Sequence, residues 1–309
     1  GSAFVGAAWP RGLCKVAPDT TGEYGTINFL HYSGYWYGDD VIQGFSHMHM
    51  HGTGASDYGV VSLMPVAVLP TAPVAPNRYQ SPFAKTSEKA RAGRYQVTLD
   101  HGPVDVDITT TAHAAHHRYT FGTSTGHVLM DLGKVLSGGR VTDAEVTVDA
   151  AARTIRARLQ HVGGMSGGFG GYEVYVAART RQAWRTSRTW SNGGDLAEGT
   201  SAAGVNVGLA LEFDTSDGAP IEVQLAVSLV DAEGAQRTLD TEMPAFAFEQ
   251  TLEAVRGAWS SLLDVVEVEG GTDQDRRMFH TALYHLFLMP TRTADVDGRF
   301  RAVNGSIST

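Results

Sequence analysis

A two-residue alternation of apolar and polar side chains is the feature that most constrains the fold of this chain. It recurs at 104–108, 155–159, 205–213 and 221–229. This period is typical of a β-strand with one buried face and one solvated face. Polar turn sequences separate the stretches, and no helical pattern lies between them. The pattern predicts a mainly β fold, a large antiparallel β-sandwich, and argues against a parallel α/β fold.

The period changes near residue 246 to a spacing of three and four residues. Apolar residues over 247–266 fall on one face of an amphipathic helix. After a short linker, Thr272 or Asp273 can cap a second helix, which we expect to end at Pro290. Two helices with wide apolar faces do not bury both faces by themselves. We therefore expect the chain to stop inside a helical domain.

These changes divide the chain into a sandwich domain at 1–245, a helical linker at 246–271 and the start of a helical domain at 272–309. A length of 309 residues is enough for one large domain or two ordinary ones. The net charge of −9 argues against a nucleic-acid partner. No apolar run is long enough for a membrane span. The single cysteine, Cys14, excludes an intrachain disulfide and is interpreted as a buried apolar residue.

Residues 44–65, GFSHMHMHGTGASDYGVVSLMP, combine histidines with a glycine turn. His47, His49 and His51 alternate, so a strand would point all three the same way, and three imidazoles can bind zinc. No carboxylate stands at a usual spacing, however, and Gly52 would turn the third histidine away. A structural or sugar-facing role is therefore favoured over zinc. Residues 165–173, MSGGFGGYE, lack the Gly-Lys-Ser/Thr of a phosphate loop and predict a hairpin loop.

The histidine segment is similar to GFSHxHxxGTGxxDxGxxxLMP, a segment of glycoside hydrolase family 92, the calcium-dependent exo-α-mannosidases. Residues 277–301, RMFHTALYHLFLMPTRTADVDGRFR, resemble the first barrel helix of that family and the following loop. Residues 70–245 resemble the family mainly in strand pattern. The resemblance implies an N-terminal β-sandwich, linker helices and an (α/α)6 barrel, of which 272–309 would be the first helix, with the barrel truncated at the end of this chain.

For function, the resemblance implies inverting hydrolysis of terminal α-mannosides by an exo-acting enzyme. It also implies that the catalytic acid, the catalytic base and the calcium ligands lie beyond residue 309. We therefore expect no catalytic or metal-binding residue in this chain, and no activity from the chain alone. The implied partners are a mannose-containing glycan and the remainder of the same polypeptide. The implied location is secreted or periplasmic, in a bacterium.

We predict five substrate-binding residues: Phe29, His31, Tyr35, His47 and Asp295. Asp295 matches an acid in the sugar pocket of the family, although a solvated turn is the alternative for an Asp-Gly sequence. Phe29 and His31 stand where many relatives have a Trp-Asp-Trp or Trp-Asp-Gly run. This departure predicts a changed leaving-group preference, such as another linkage or a mannosyl phosphodiester.

Two other functions remain open from the sequence. A non-catalytic carbohydrate-binding sandwich would use the aromatic residues between 29 and 37 as its sugar platform. A structural sandwich would only mediate contacts between domains. The helical segment after residue 245 argues against both, because a self-sufficient module has no use for two exposed helices.

Overall fold

The fold was analysed in a computed structural model, which describes residues 3–21, 31–52, 54, 57–71, 74–136, 138–302 and 304–309. Over these residues, two large antiparallel sheets pack face to face, and helices follow at the carboxyl end. The predicted mainly β sandwich is therefore confirmed, as is the switch to helices. Strands and helices are numbered below in chain order.

The first sheet contains nine of the described strands. They are β1 Ala7–Ala8, β2 Lys15–Thr21, β3 Val41–Ser46, β4 Ser62–Val66, β5 Ser81–Pro82, β10 Thr125–Asp131, β14 Thr186–Trp190, β15 Ala197–Glu198 and β17 Gly208–Asp214. Their order is β1-β2-β3-β4-β10-β17-β14-β15, with β5 paired to β3. The short helix α1, Pro76–Tyr79, lies in the proline-rich connection between β4 and β5.

The second sheet also contains nine of the described strands. They are β6 Lys89–Arg91, β7 Arg94–Leu99, β8 Val104–Thr110, β9 Ala114–Phe121, β11 Arg140–Asp149, β12 Thr154–Val162, β13 Tyr172–Thr180, β16 Ser201–Gly204 and β18 Ile221–Ser228. Their order is β16-β11-β12-β13-β18-β9-β8-β7-β6. A small hairpin of β19 Phe300–Arg301 and β20 Ile307–Ser308 follows.

The core lies between the two sheets and is built by the alternating residues that the sequence indicates. Phe45 of the first sheet faces Tyr95 of the second, with ring centroids 6.1 Å apart. The apolar positions of β8 and β12 are buried as predicted. Cys14 is also buried, as predicted. Burial of this continuous apolar layer is the main force that holds the sandwich together.

Two details of the strand predictions are wrong. The strand predicted at 205–213 begins at Gly208, because Asn206 has a positive φ of 51° and turns the chain just before it. Val205 is accordingly exposed. The second detail concerns β18, which was expected to have one solvated face but is buried along its whole length.

A helix that the sequence analysis missed covers the outer face of β18. Helix α2, Ala232–Glu242, begins with Asp231 as its N-cap, whose side chain accepts the amide of Gly234. Its apolar residues Ala235 and Leu239 pack on small alanines of the second sheet. These two residues are one helical turn apart, so the sequence contains an apolar helical pattern here, but the pattern spans only one turn. The small side chains of the sheet let the helix lie close to it.

The two predicted helices are present, with shifted ends. Helix α3 spans Phe248–Leu263 and helix α4 spans Asp273–Leu286. Thr272 caps α4 in a reciprocal capping box with Asp275. The helix ends at Leu286, before Pro290, because the next two backbone amides donate to carbonyls three residues back in the chain and not four.

Helix α3 is fixed to the sandwich through Trp259. Its indole N–H donates to the carbonyl of Ala8 at 2.7 Å, and its ring lies 4.4 Å from that of Tyr284 in α4. Helix α4, in contrast, has no buried residue, and side chains such as Met278 and Leu286 are exposed.

Candidate active-site rim

Loops from both sheets and the segment after α4 meet at one end of the sandwich. We call the described residues within 31–39, 47–61, 163–171 and 291–301 the rim. Hydrogen bonds join the first three of these loops: the hydroxyl of Ser33 donates to the carbonyl of Met50 at 2.8 Å, and the carboxylate of Asp57 accepts amides of the 163–171 loop. The fourth segment joins them through Thr291, whose hydroxyl accepts a hydrogen bond from Lys15 at 2.8 Å.

A buried ionic cluster holds two of these loops. Asp19 lies 3.0 Å from Nε2 of His49 and forms an ion pair with Lys134. Burial alone would raise the pKa of Asp19, but Lys134 and His49 outweigh burial and hold the pKa below its usual value. Gly34 lies directly on this pair with a φ of 83°, and a Cβ there would be 2.4 Å from the carboxylate. The cluster therefore fixes both the 31–39 loop and the histidine segment.

The three alternating histidines do not point the same way, and that expectation is wrong. Strand β3 ends at Ser46, so the strand alternation stops before the first of them. His47 is fully buried between the carbonyl of Val61 at 2.6 Å and His117 at 2.9 Å, and burial lowers its pKa to about 4. No group of three or more His, Cys, Asp or Glu side chains that could hold a metal ion occurs in the described part of the chain.

His51 lies at the junction with α4. Its Nδ1 accepts the backbone N–H of Phe4 at 3.0 Å, and its ring lies 4.5 Å from that of His285. Burial, His285 and the charge of Lys15 lower the pKa of His51 to about 4. The third histidine thus ties the amino-terminal strand to the helical segment.

Two predicted substrate residues of the 31–39 loop are largely buried. Nε2 of His31 lies 2.6 Å from Asp39. The hydroxyl of Tyr35 donates to Glu88 at 2.8 Å and accepts from Lys85 at 2.9 Å. Phe29, the third predicted residue of this region, lies outside the described residues.

The accessible rings of this loop are Trp36 and Tyr37, which are 36% and 75% exposed. Together with Tyr35 and Glu88, they line a cavity of about 370 Å³. The sequence analysis included both rings in the aromatic cluster but did not select them as substrate residues, because exposure is not visible in the sequence.

Asp295 is buried beside the first turn of α2. Its Oδ2 accepts the hydroxyl of Ser228 at 2.7 Å, and a Cβ on Gly234 would lie 2.1 Å from the same oxygen. Its Oδ1 has no hydrogen-bond partner among the described residues. Burial raises the pKa of this carboxyl group. Asp297, two residues later, forms ion pairs with Arg237 and Arg299 instead.

Asp57 is a rim residue that the substrate predictions missed. Its carboxylate accepts the amides of Tyr58, Met165 and Ser166 at 2.9, 3.1 and 2.7 Å, and the hydroxyl of Ser166 at 3.2 Å. It therefore joins the histidine segment to the glycine-rich loop 163–171. The acid is visible in the sequence motif, but its partner lies more than one hundred residues away.

The four predicted residues that the structure describes therefore occupy separate places. Tyr35 lies beneath the exposed aromatic rings, His31 beside Asp39, His47 in the core and Asp295 against α2. Their contact with a sugar stays a prediction. The feature that these four residues share is that each of them is buried.

Two family models match this chain in consecutive order. The glycosyl hydrolase family 92 N-terminal domain matches residues 1–228, and the catalytic domain of the same family matches residues 234–309. The chain belongs to glycosyl hydrolase family 92. Helix α2 begins at Ala232, between the two matches. The domain bounds 1–245, 246–271 and 272–309 stay predictions.

Relatives of this family 92 chain are longer than the chain. An uncharacterized secreted glycosidase of Arthroderma benhamiae is 25% identical over 321 residues, which is 94% of this chain and 40% of the relative. The solved family 92 glycosyl hydrolase CcMan5 is 28% identical, with a TM-score of 0.89 over all of this chain and 42% of its own.

A family 92 α-mannosidase from Bacteroides thetaiotaomicron is 23% identical, with the same TM-score of 0.89, and covers all of this chain and 42% of its own length. This likeness shows a shared fold. The family 92 chain thus spans about two fifths of the length of these relatives. None of the helices in the described segments is both long and apolar enough to cross a membrane.

Proposed function

We propose that this chain is the N-terminal part of an exo-acting α-mannosidase that hydrolyses terminal α-mannosides with inversion. One observation carries the proposal: both family 92 models match in order along one chain. The solved relative named an α-mannosidase has the same sandwich followed by helices. We propose α-1,2-mannosides or related substrates. Mannosyl phosphodiesters are included, because Phe29 and His31 stand where many relatives have a Trp-Asp-Trp or Trp-Asp-Gly run.

In this proposal, the sandwich supports the helical domain and supplies the rim of the sugar pocket. An inverting glycosidase needs one carboxyl group as acid and a second as base, far enough apart to admit a water molecule. Asp19 and Asp57 are poorly suited to either role, because ion pairs and hydrogen bonds occupy them. This supports assigning the acid and the base to the remainder of the polypeptide, so that this chain alone would be inactive.

We assign the calcium ion to the remainder of the polypeptide as well. The described residues offer no cluster of three or more metal-ligating side chains, and hard cations such as calcium take six to eight oxygen ligands. Since the fungal relative is named a secreted glycosidase, we also propose that the protein is exported, to the periplasm or the outside of a bacterial cell.

The test compares this chain with the longer polypeptide that contains it. Release of mannose from α-linked mannobiose is measured with calcium and with a chelator, and proton NMR follows the anomer that forms first. We expect activity only from the longer polypeptide, only with calcium, and with β-mannose as the first product. A longer polypeptide that releases no mannose from any α-mannoside with calcium present would refute the proposal.

A carbohydrate-binding role without catalysis is the second candidate, and exposed Trp36 and Tyr37 favour it. It predicts that this chain alone binds mannose-containing oligosaccharides and that Trp36→Ala removes the binding. Titration calorimetry with this chain separates the two functions, because the enzyme proposal needs the remainder of the polypeptide for a complete sugar pocket.

A further inference from the structure

Lys15, the first residue of β2, connects two segments of the rim. Its backbone N–H donates to the carbonyl of His47 at 2.9 Å, and its carbonyl accepts a hydrogen bond from Nδ1 of His49 at 2.8 Å. Its side-chain amine donates to the hydroxyl of Thr291 at 2.8 Å. One residue therefore joins the histidine segment to the segment that carries Asp295.

Backbone hydrogen bonds close the same junction between the sandwich and the end of α4. The amide of Arg11 donates to the carbonyl of Phe287 at 2.8 Å, and the amide of Arg292 donates to the carbonyl of Arg11 at 2.8 Å. Neither of these bonds involves a group that titrates. The bond between Lys15 and Thr291 lies beside them and does involve such a group.

The environment of the Lys15 amine suits a neutral group. Lys15 is 0% exposed. Its Nζ has two acceptors among the described residues, the carbonyl of Gly12 and the hydroxyl of Thr291, which itself donates to the sulfur of Met289 at 3.1 Å. A neutral amine has two N–H groups, whereas an ammonium group has three. The site therefore satisfies the neutral amine and would leave one N–H of the ammonium buried without an acceptor.

The ionisable groups around Lys15 do not compensate a positive charge there. Beside it in the chain, burial raises the pKa of the Cys14 thiol, which stays neutral, and Glu242 of α2 acts on that thiol. His51 of the histidine segment has its pKa lowered to about 4, and burial also lowers the pKa of His285 of α4, which lies against it. Burial accordingly lowers the pKa of Lys15 from 10.5 to about 7. An unpaired charge at this place would be costly.

We propose that Lys15 is a pH-sensitive latch that holds the start of segment 291–301 to the sandwich. As a neutral amine, Lys15 stays buried and donates to Thr291. When Lys15 takes a proton from solvent, its third N–H has no acceptor, so moving the ammonium into water becomes favourable and breaks the bond to Thr291. The segment that carries Asp295 is then held more firmly above neutral pH than below it. The latch goes beyond the proposed function, and its test does not depend on mannosidase activity.

The direction and size of the pH response follow from the linkage between protonation and opening. The amine has the ordinary pKa of 10.5 when opening exposes it, and a pKa of about 7 when the latch is closed. The closed form therefore binds fewer protons between these two values. Its extra stability is fully present above pH 10.5 and is lost as pH falls to about 7. Between pH 6 and pH 8, the equilibrium constant for opening should fall by about tenfold.

The experiment is hydrogen exchange with mass spectrometry on the longer polypeptide at pH 6 and pH 8. It follows peptides that contain Arg292, whose amide donates to Arg11, and corrects the rates for their intrinsic pH dependence. We expect protection about tenfold greater at pH 8 than at pH 6. Lys15→Met keeps an unbranched side chain that does not titrate, so its ratio should be below about twofold. Lys89→Met is the matched control, because Lys89 is exposed on β6, and it should keep the tenfold response.

Thr291→Val answers the same question if Lys15→Met does not fold. This variant leaves Lys15 in place and removes its acceptor on the segment, so the segment can open while the amine stays buried. The ratio of protection should then fall below about threefold. A wild-type ratio below about twofold, or a tenfold ratio that persists in Lys15→Met or in Thr291→Val, would overturn the inference. None of these measurements involves mannose release, so failure of the latch and failure of the proposed function are distinguished.

Discussion

Replacing Asp57 by asparagine should release loop 163–171 and lower the free energy of unfolding by about 2–4 kcal/mol. The carboxylate accepts four hydrogen bonds, from Tyr58, Met165 and Ser166. Asparagine keeps one acceptor oxygen, so about half of these bonds are lost, and the rest no longer involve a charge. A bond to a charged group contributes about 1.5–3 kcal/mol and a neutral one about 0.5–1.5 kcal/mol. Four charged bonds replaced by two neutral ones give a loss of about 5–9 kcal/mol. Water that reaches the amides freed on the exposed loop offsets more than half of this loss, which leaves about 2–4 kcal/mol.

The effect should depend on pH with a definite sign. Burial would raise the pKa of Asp57, but neighbouring His161 and the amides of Ser166 and Tyr58 hold it well below the ordinary value of 3.8. Stability from a carboxylate with a lowered pKa is fully present above its unfolded pKa and is lost as pH falls through the folded pKa. The difference in free energy of unfolding between the wild type and Asp57→Asn should therefore be constant above about pH 4 and become smaller below it.

Urea unfolding at pH 7, 5 and 3 measures this gap, and amide hydrogen exchange reports on loop 163–171 directly. Asp217→Asn is a suitable control, because Asp217 is exposed and, among the described residues, its side chain accepts one hydrogen bond, from the amide of Ala219 at 2.9 Å. It should change stability by less than about 0.5 kcal/mol. Equal stability of Asp57→Asn and the wild type at pH 7, with unchanged exchange in the loop, would refute the reasoning.

Four further substitutions test other parts of the fold. Gly234→Ala should lower the free energy of unfolding by about 1–3 kcal/mol, because the new Cβ clashes with Asp295. In α3, a Cβ at Gly257 meets no described atom within 4 Å, so Gly257→Ala should raise the free energy of unfolding by up to about 1 kcal/mol. Urea unfolding of the two variants measures these changes of opposite sign. Trp259→Phe should cost about 1–3 kcal/mol, because a buried carbonyl loses its donor, and an unchanged urea midpoint would contradict it. Burial lowers the pKa of His47 from 6.5 to about 4. The stability that depends on its neutral imidazole, about 3 kcal/mol in all, is therefore fully present above pH 6.5 and is lost as pH falls through 4. In a series of unfolding measurements at different pH, His47→Gln should remove this dependence.

The strands with a single covered face were predictable because local periodicity decides them. In β8 and β12, one face meets the opposite sheet and the other meets solvent, so alternation in the sequence is enough. In β18, a helix covers the second face, and only a short alanine and leucine pattern in α2 indicated it. Periodicity reports which face of a strand is apolar, but it cannot report which element lies on the other face.

The substrate-binding role of the selected residues stays a prediction. The histidine motif and the segment around Asp295 do lie at one end of the sandwich. However, the predicted substrate residues Tyr35 and His47 are buried, whereas Trp36 and Phe169, which were not predicted, are exposed. Side-chain exposure depends on neighbours that are distant in sequence, so residue type alone does not decide it.

The sequence by itself determined the sandwich, the two helices that follow residue 246, an N-cap at Thr272 or Asp273 and membership of family 92. All of these depend on short-range patterns, or on motifs contained within about twenty residues. The tertiary structure alone decided that Asp57 binds the loop 163–171, that His47 meets His117, and that α2 covers β18. These contacts depend on strand order and register across two sheets, and many combinations of distant strands are compatible with the same local pattern.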